Sequence, residues 1–317
     1  MIHRRDTATD ALNLGMTDSE RVAPYSRLAT DYDRLVGDTL YPIVRASFDA
    51  CVRALGLRFG SLADVGCGTG RFLYDLLGYG VPLIGVDRSP QMLRIAAERL
   101  RGHGVLLIRQ DMRRLRLPRP VDLITCNGDT LNYLLAADEL ASTLLHCRMN
   151  LRPGGHLIAD LLCGHPTDGD RILSDIRDRS AGRVSLWRTR SDKAQRLTRV
   201  EIDFARPDTN GETRWAREIH VQRWHRPSDL DAAVKQAGLR IVLAEPLVVE
   251  RDRRMPAAWI KIVLGRAPPR RRSARDPIRS VRARLASVGA NTQETRAHSE
   301  VNGAAGRAFA GLVLSSP

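Results

Sequence analysis

The chain has 317 residues, 43% of them hydrophobic and 27% charged, with a formal net charge of +14. This length and apolar content suffice to bury a full core, and no stretch approaches the roughly 18 apolar residues a membrane helix needs. The start, MIHRRDTATD, has charges but no apolar segment, so neither end reads as a targeting signal.

The five cysteines, Cys51, Cys67, Cys126, Cys147 and Cys163, are scattered and form no C-x-x-C pair. That excludes a disulfide framework and a structural zinc site, fits a reducing cytoplasm, and leaves no metal-ligand cluster in view. The positive charge invites a nucleic-acid partner, but half of it lies beyond Gly265, where ten arginines face three acidic residues. A solvated surface with a basic tail accounts for that distribution, which weakens the nucleic-acid reading, and the lack of a membrane-length apolar stretch argues against a membrane.

Residues 1–20 are polar and aperiodic and read as disordered. Apolar residues at helical spacing predict one helix from Tyr25 to Val36 and a second from Leu40 to Leu55, closed by Gly56. Next comes the organising stretch, LADVGCGTGRF. A short apolar run ends in Asp64, Gly66, Gly68 and Gly70 follow at every second position, and a helical pattern starts at once. That is strand, tight turn, helix, with glycines that let a ligand approach main-chain N–H groups. It is not the dinucleotide fingerprint G-x-G-x-x-G, because Arg71 stands where the last glycine belongs. The spacing resembles motif I of the class I S-adenosylmethionine (SAM) dependent methyltransferases, D-x-G-x-G-x-G. The resemblance implies that Asp64, Gly66, Cys67, Gly68 and Gly70 hold SAM. It also implies that the two preceding helices cover its pocket, with Tyr25 or Tyr32 near the sulfonium, where a ring face attracts a cation. The competing reading is that both tyrosines only pack the helix.

The second strand, VPLIGVD, ends in Asp87, followed by Arg88. An acid at that tip accepts from both ribose hydroxyls of a bound nucleoside. Ser89 and Pro90 open a helix as cap and first-turn proline. After strand three (105–108), the resemblance implies that Asp111 meets the adenine amino group and Met112 covers the ring; a surface aspartate is the alternative. Strand four, VDLITC, runs into NGDTLNYL, which resembles a run in bacterial small-molecule methyltransferases. That implies a cofactor contact from Asn127 and acceptor contacts from Asp129, Asn132 and Tyr133, unless Asp129 and Asn132 are turn and cap residues. Cys126 lacks the neighbouring proline of cytosine C5 chemistry and reads as a buried strand end. A helix from Asp138 and an L-x-P-G-G turn before strand five, HLIADLL, complete the methyltransferase landmarks.

Residues 182–225 alternate with period two and predict an antiparallel insertion resembling the substrate cover of glycine, sarcosine and deoxyaminosugar N-methyltransferases. In EIHVQR, period two sets Glu218, His220 and Gln222 on one face and Ile219 and Val221 on the other. His220 is either a general base or a plain surface histidine. Ser228 is expected to cap the next helix, and strands at 239–243 and 259–264 end the fold.

The expected architecture is therefore α/β: a Rossmann-like, seven-stranded, mostly parallel sheet with helices on both faces, spanning residues 21–265. Residues 266–317 form a basic tail. The expected reaction is methyl transfer from SAM to a small acceptor, most simply at nitrogen, releasing S-adenosyl-L-homocysteine. The candidate catalytic residues are His220 and Tyr25, and a homodimer is compatible with the sequence. O-methylation, RNA methylation through the tail, and SAM binding without turnover are the alternatives.

Overall fold

The computed structural model of the protein describes residues 20–136, 138–164, 169–173, 184–207, 210, 213–248 and 258–267. The expected disorder at 1–20 falls almost wholly outside these residues, as does the expected tail.

The parallel strands of the central sheet are β2 (Leu62–Val65), β3 (Leu83–Asp87), β4 (Leu106–Arg109), β5 (Val121–Cys126) and β6 (Leu151–Cys163). With β11 (Leu239–Val248) and β12 (Ala258–Arg266) they form a seven-stranded sheet in the order β11-β12-β6-β5-β2-β3-β4. Only β12 runs antiparallel to its neighbours. β2 is buried along its whole length, as a strand covered on both faces must be, which is why it reads as an apolar run. The strand order reverses between β2 and β5. At such a switch point the connecting loops diverge and leave a crevice at the carboxyl ends of the strands. The L-x-P-G-G turn is absorbed into β6 as a bulge: Val121 opposes Leu151 and Leu123 opposes His156.

Helices flank this sheet: α1 (Leu28–Tyr32), a π-helical turn (Asp33–Gly37), α2 (Asp38–Ala54), α3 (Arg71–Asp75), α4 (Pro90–Arg99), α5 (Glu139–Met149) and α6 (Pro227–Gln236). The Ser89 hydroxyl accepts from the Met92 N–H at 3.2 Å, the expected cap of α4. Two expectations are corrected. α1 begins at Leu28, because Tyr25 takes a left-handed backbone (φ +63°) that a right-handed helix cannot contain. Ser228 lies inside α6; Arg226 is the N-cap residue and Asp229 closes the capping box onto its N–H.

The predicted cover is a separate antiparallel sheet of β7 (Gly169–Leu173), β8 (Val184–Asp192), β9 (Leu197–Pro207) and β10 (Thr213–Arg223). It starts earlier than expected, and β1 (Glu20–Val22) adds to it by pairing parallel with β10. Its inner face buries Trp187, Val200, Ile202 and Phe204 in the same apolar cluster as Leu28, Leu40, Tyr41 and Phe48 of the leading helices. Asn132 is the joint between the two sheets. Its side-chain amide donates to the Leu162 carbonyl (3.1 Å) and the Arg223 carbonyl (2.7 Å), and its oxygen accepts from the Leu162 N–H (2.9 Å).

Candidate active site

A cavity opens at the switch point, lined by the glycine turn and by the residues that follow β3, β4 and β5. The glycine turn forms its floor. Gly66 has φ +78°, and a Cβ there would lie 2.5 Å from the Thr130 hydroxyl, so the Thr130 side chain, from the loop after β5, packs directly on the turn. The Gly68 N–H donates to one Asp87 oxygen at 2.9 Å, and the Ser89 N–H donates to the other at 2.8 Å. These two bonds fix the carboxylate plane while leaving lone pairs on both oxygens for a diol. Burial raises the Asp87 carboxyl above its ordinary range, and the same two N–H groups oppose that shift.

The wall brings together Tyr25, Tyr32, Asp64, Cys67, Arg88, Asp111, Met112, Asn127 and Tyr133 from the residues singled out in the sequence. Tyr41 joins them, its hydroxyl 3.4 Å from that of Thr69; nothing in the sequence pattern distinguished it from a packing residue of α2. Asp64 accepts from the Thr125 hydroxyl at 2.6 Å, and burial pushes its carboxyl up to about 7. Asp111 is held by Arg113 through two guanidinium nitrogens and a main-chain N–H, which lowers its carboxyl below the usual range. Gly70 stands apart from the wall. A Cβ there would meet Ala96 and Leu100 of α4, so this glycine serves helix packing. The Asn127 amide nitrogen is buried without a partner, while its oxygen accepts from Lys261 at 2.8 Å.

The residues fit SAM. A backbone cradle without side chains, a carboxylate pair of acceptors for a ribose, an apolar Met112 wall and tyrosine rings for a sulfonium are all present in one cavity. The leading helices close over it through one cluster: Arg99 of α4 donates to the Thr69 carbonyl and hydroxyl and to Asp33, and the Thr69 hydroxyl donates to Asp33 at 2.7 Å.

A second, smaller cavity adjoins the first and shares Tyr25, Tyr32, Leu40, Gly128 and Tyr133 with it. Its remaining wall comes from the cover strands, with Val200, Ile202, His220 and Gln222, and from Asp129. His220 is thus an inner-face residue, 4% exposed, and the surface alternative is corrected. Asn132 is corrected as well: its polar atoms serve the joint described above rather than either cavity. Cys126 is a buried strand end, as its sequence context indicated.

A line of hydrogen bonds crosses from the shared wall to the cover. The Tyr25 hydroxyl lies 2.7 Å from that of Tyr133, which lies 2.9 Å from His220 Nδ1, and His220 Nε2 lies 3.1 Å from a Glu218 oxygen. Glu218 is fully buried and also accepts main-chain N–H groups of Tyr25 and Leu28, both at 2.8 Å, and of Arg27. An ionised carboxylate only accepts, so Nε2 carries the proton and Nδ1 is the acceptor for Tyr133. Glu218 was visible in sequence as a neighbour of His220 on one strand face. Its partners lie some 190 residues away, which no local pattern reveals.

Residues 62–155 match the family model described as a methyltransferase domain. The chain therefore carries a methyltransferase domain. It is 28% identical over 194 residues to the dTDP-3-amino-3,4,6-trideoxy-alpha-D-glucopyranose N,N-dimethyltransferase of Streptomyces venezuelae, covering 61% of this chain and 81% of that protein. The SAM-bound amino pentose methyltransferase of Micromonospora echinaspora, involved in calicheamicin biosynthesis, superposes with a TM-score of 0.52 at 26% identity, covering 69% of this chain and 89% of that one. A SAM-dependent methyltransferase of Clostridium acetobutylicum shares the fold with a TM-score of 0.61 at 23% identity, over 77% of this chain and 99% of that one.

Proposed function

We propose that this methyltransferase methylates an amino nitrogen of a small molecule, with an amino sugar as the acceptor class. The observation that carries the reading is the second cavity. It opens off the cofactor cavity through shared tyrosines, is roofed by the cover sheet, and is walled by His220. It adjoins the cofactor cavity and takes part of its wall from the cover strands, and the Streptomyces venezuelae relative is named for an amino-sugar acceptor.

SAM supplies a methyl group already activated by its sulfonium charge. The acceptor lone pair forms the C–N bond while the C–S bond breaks with its electrons remaining on sulfur. The protein's share is to position the acceptor, exclude water and remove a proton. Burial raises Tyr25 and Tyr133 far above the tyrosine range, so both stay neutral and pass protons rather than hold negative charge. A proton leaving the acceptor nitrogen goes to the Tyr25 oxygen, that of Tyr25 to Tyr133, and that of Tyr133 to His220 Nδ1. Imidazole is the side chain suited to accept it near neutral pH. The imidazolium so formed sits against the Glu218 carboxylate.

The test is transfer of labelled methyl from SAM to dTDP-linked amino sugars and, in parallel, to an extract separated into RNA, protein and small molecules. Label on the amine supports the proposal. Label confined to a hydroxyl, or recovered in RNA, overturns it.

A further inference from the structure

We propose that Asp129 is the cation-recognition residue of the second cavity, its carboxylate serving as counter-charge to the acceptor nitrogen and so selecting acceptors that are positively charged at neutral pH. This rests on reading that cavity as the acceptor site for N-methylation.

The argument starts from the charges beneath the cavity. Asp160 of β6 is fully satisfied. One oxygen accepts the Asp129 N–H (2.9 Å) and the Trp259 indole N–H (3.2 Å), and the other pairs with the Lys261 ammonium at 3.1 Å. Lys261 completes its set on the Asn127 oxygen. Asp160 and Lys261, both buried, therefore close as a neutral pair. Asp129 is left over. It is 4% exposed, its Oδ1 has no hydrogen-bond partner, and the Trp259 indole is its side-chain contact. A buried carboxylate oxygen without a donor is rare and costly, so a missing donor is expected there.

Two further features point to a ligand as that donor. Asp129 adopts a left-handed backbone (φ +56°), a strain of about 1–3 kcal/mol that no hydrogen bond of its own side chain to the turn offsets. Its charge is also felt by Tyr32 and Tyr133, whose rings wall the same cavity, so carboxylate and aromatic faces surround one space. Asp129 borders the second cavity and not the first, which separates it from the cofactor's own sulfonium.

Burial and the neighbouring Asp160 raise the Asp129 carboxyl far above the carboxylate range. The ammonium bound against it first gives one proton to the Tyr25 oxygen, which frees the lone pair that attacks the methyl group, and during transfer positive charge returns to the nitrogen from the methyl donor. A fixed carboxylate beside that nitrogen stabilises the state in which the charge develops, and it does so more than it stabilises the neutral amine.

The test uses full-length protein saturated with S-adenosyl-L-homocysteine and titrated calorimetrically with dimethylammonium chloride and, separately, with the neutral isostere 2-propanol. The proposal expects dimethylammonium to bind the wild type at least about tenfold more tightly than 2-propanol. Asp129→Asn should remove that preference without changing the affinity for S-adenosyl-L-homocysteine, which also reports that the variant is folded. Equal binding of the two probes by the wild type, or a preference retained in Asp129→Asn, overturns the inference. Should Asp129→Asn fail to fold, the wild-type comparison alone decides. Cation preference combined with a product methylated only at oxygen would sink the N-methylation reading and leave Asp129 as a cation site; an N-methylated product without cation preference would do the reverse.

Discussion

The two cavities are built by different means. The cofactor cavity has a floor of main chain, with glycines at 66 and 68 and N–H groups of Gly68 and Ser89 that hold one carboxylate in plane, beneath side-chain walls that it partly shares with the second cavity. The acceptor wall uses side chains from distant elements: Tyr25 before α1, Asp129 and Tyr133 after β5, and His220 on the cover, backed by Glu218. A wall of main chain is insensitive to most substitutions, but a wall of side chains changes specificity with each one. That division suits a protein that holds an invariant donor beside a variable acceptor.

The sharpest way to break this contrast is Asp87→Ala. It removes the acceptor for two main-chain N–H groups at the tip of β3 and the proposed ribose contact together. We expect the affinity for S-adenosyl-L-homocysteine to fall by about 100-fold, near 3 kcal/mol, as hydrogen bonds to charged groups imply. Calorimetry checks this, and an affinity within about twofold of wild type would detach Asp87 from the cofactor.

Asn132→Ala acts between the walls. It leaves the buried Leu162 N–H and two carbonyls without their partner, and should cost about 2 kcal/mol of stability in denaturant unfolding. Cofactor affinity at low denaturant should hold, because Asn132 borders neither cavity.

A further test concerns pH. Burial raises Asp64 to about 7 from the model-compound 3.8, so the folded chain binds more protons than the unfolded chain between those values. Stability from this group is present below about pH 4 and is lost as pH rises toward about 7, with a slope of at most about 1.4 kcal/mol per pH unit. Asp64→Asn should flatten that part of the stability profile, which unfolding midpoints at several pH values would show.

The same contrast explains what was legible in the sequence. Motif I, Asp87 and the Ser89-Pro90 cap are local patterns, because a backbone cradle needs particular residues within a few positions. The mostly parallel sheet was also expected, although its strand order came only from the structure. Period two assigned His220 to one strand face but could not say what that face covers, and the answer came from β1 and α1 docking on β10. The DTLNY run drew attention correctly but mixed two roles: Asp129 and Tyr133 reach the second cavity, while Asn132 ties the sheets together. Asp160, Trp259 and Lys261 had no sequence signal, since each occupies an ordinary apolar strand and only the sheet register brings them beneath Asp129. Gly70 shows the limit of a motif: it satisfies the pattern yet serves a helix contact.

The central claim is that donor binding rests on the main-chain floor and proton removal on the line from Tyr25 to His220, and Tyr133→Phe tests it most directly. This substitution keeps the ring and deletes the hydroxyl that joins Tyr25 to His220. Single-turnover methyl transfer to an amino-sugar acceptor should slow by about 100-fold, in the range of general acid–base catalysis, while affinity for S-adenosyl-L-homocysteine stays within about twofold. Transfer at the wild-type rate, or a parallel collapse of both quantities, would contradict the account.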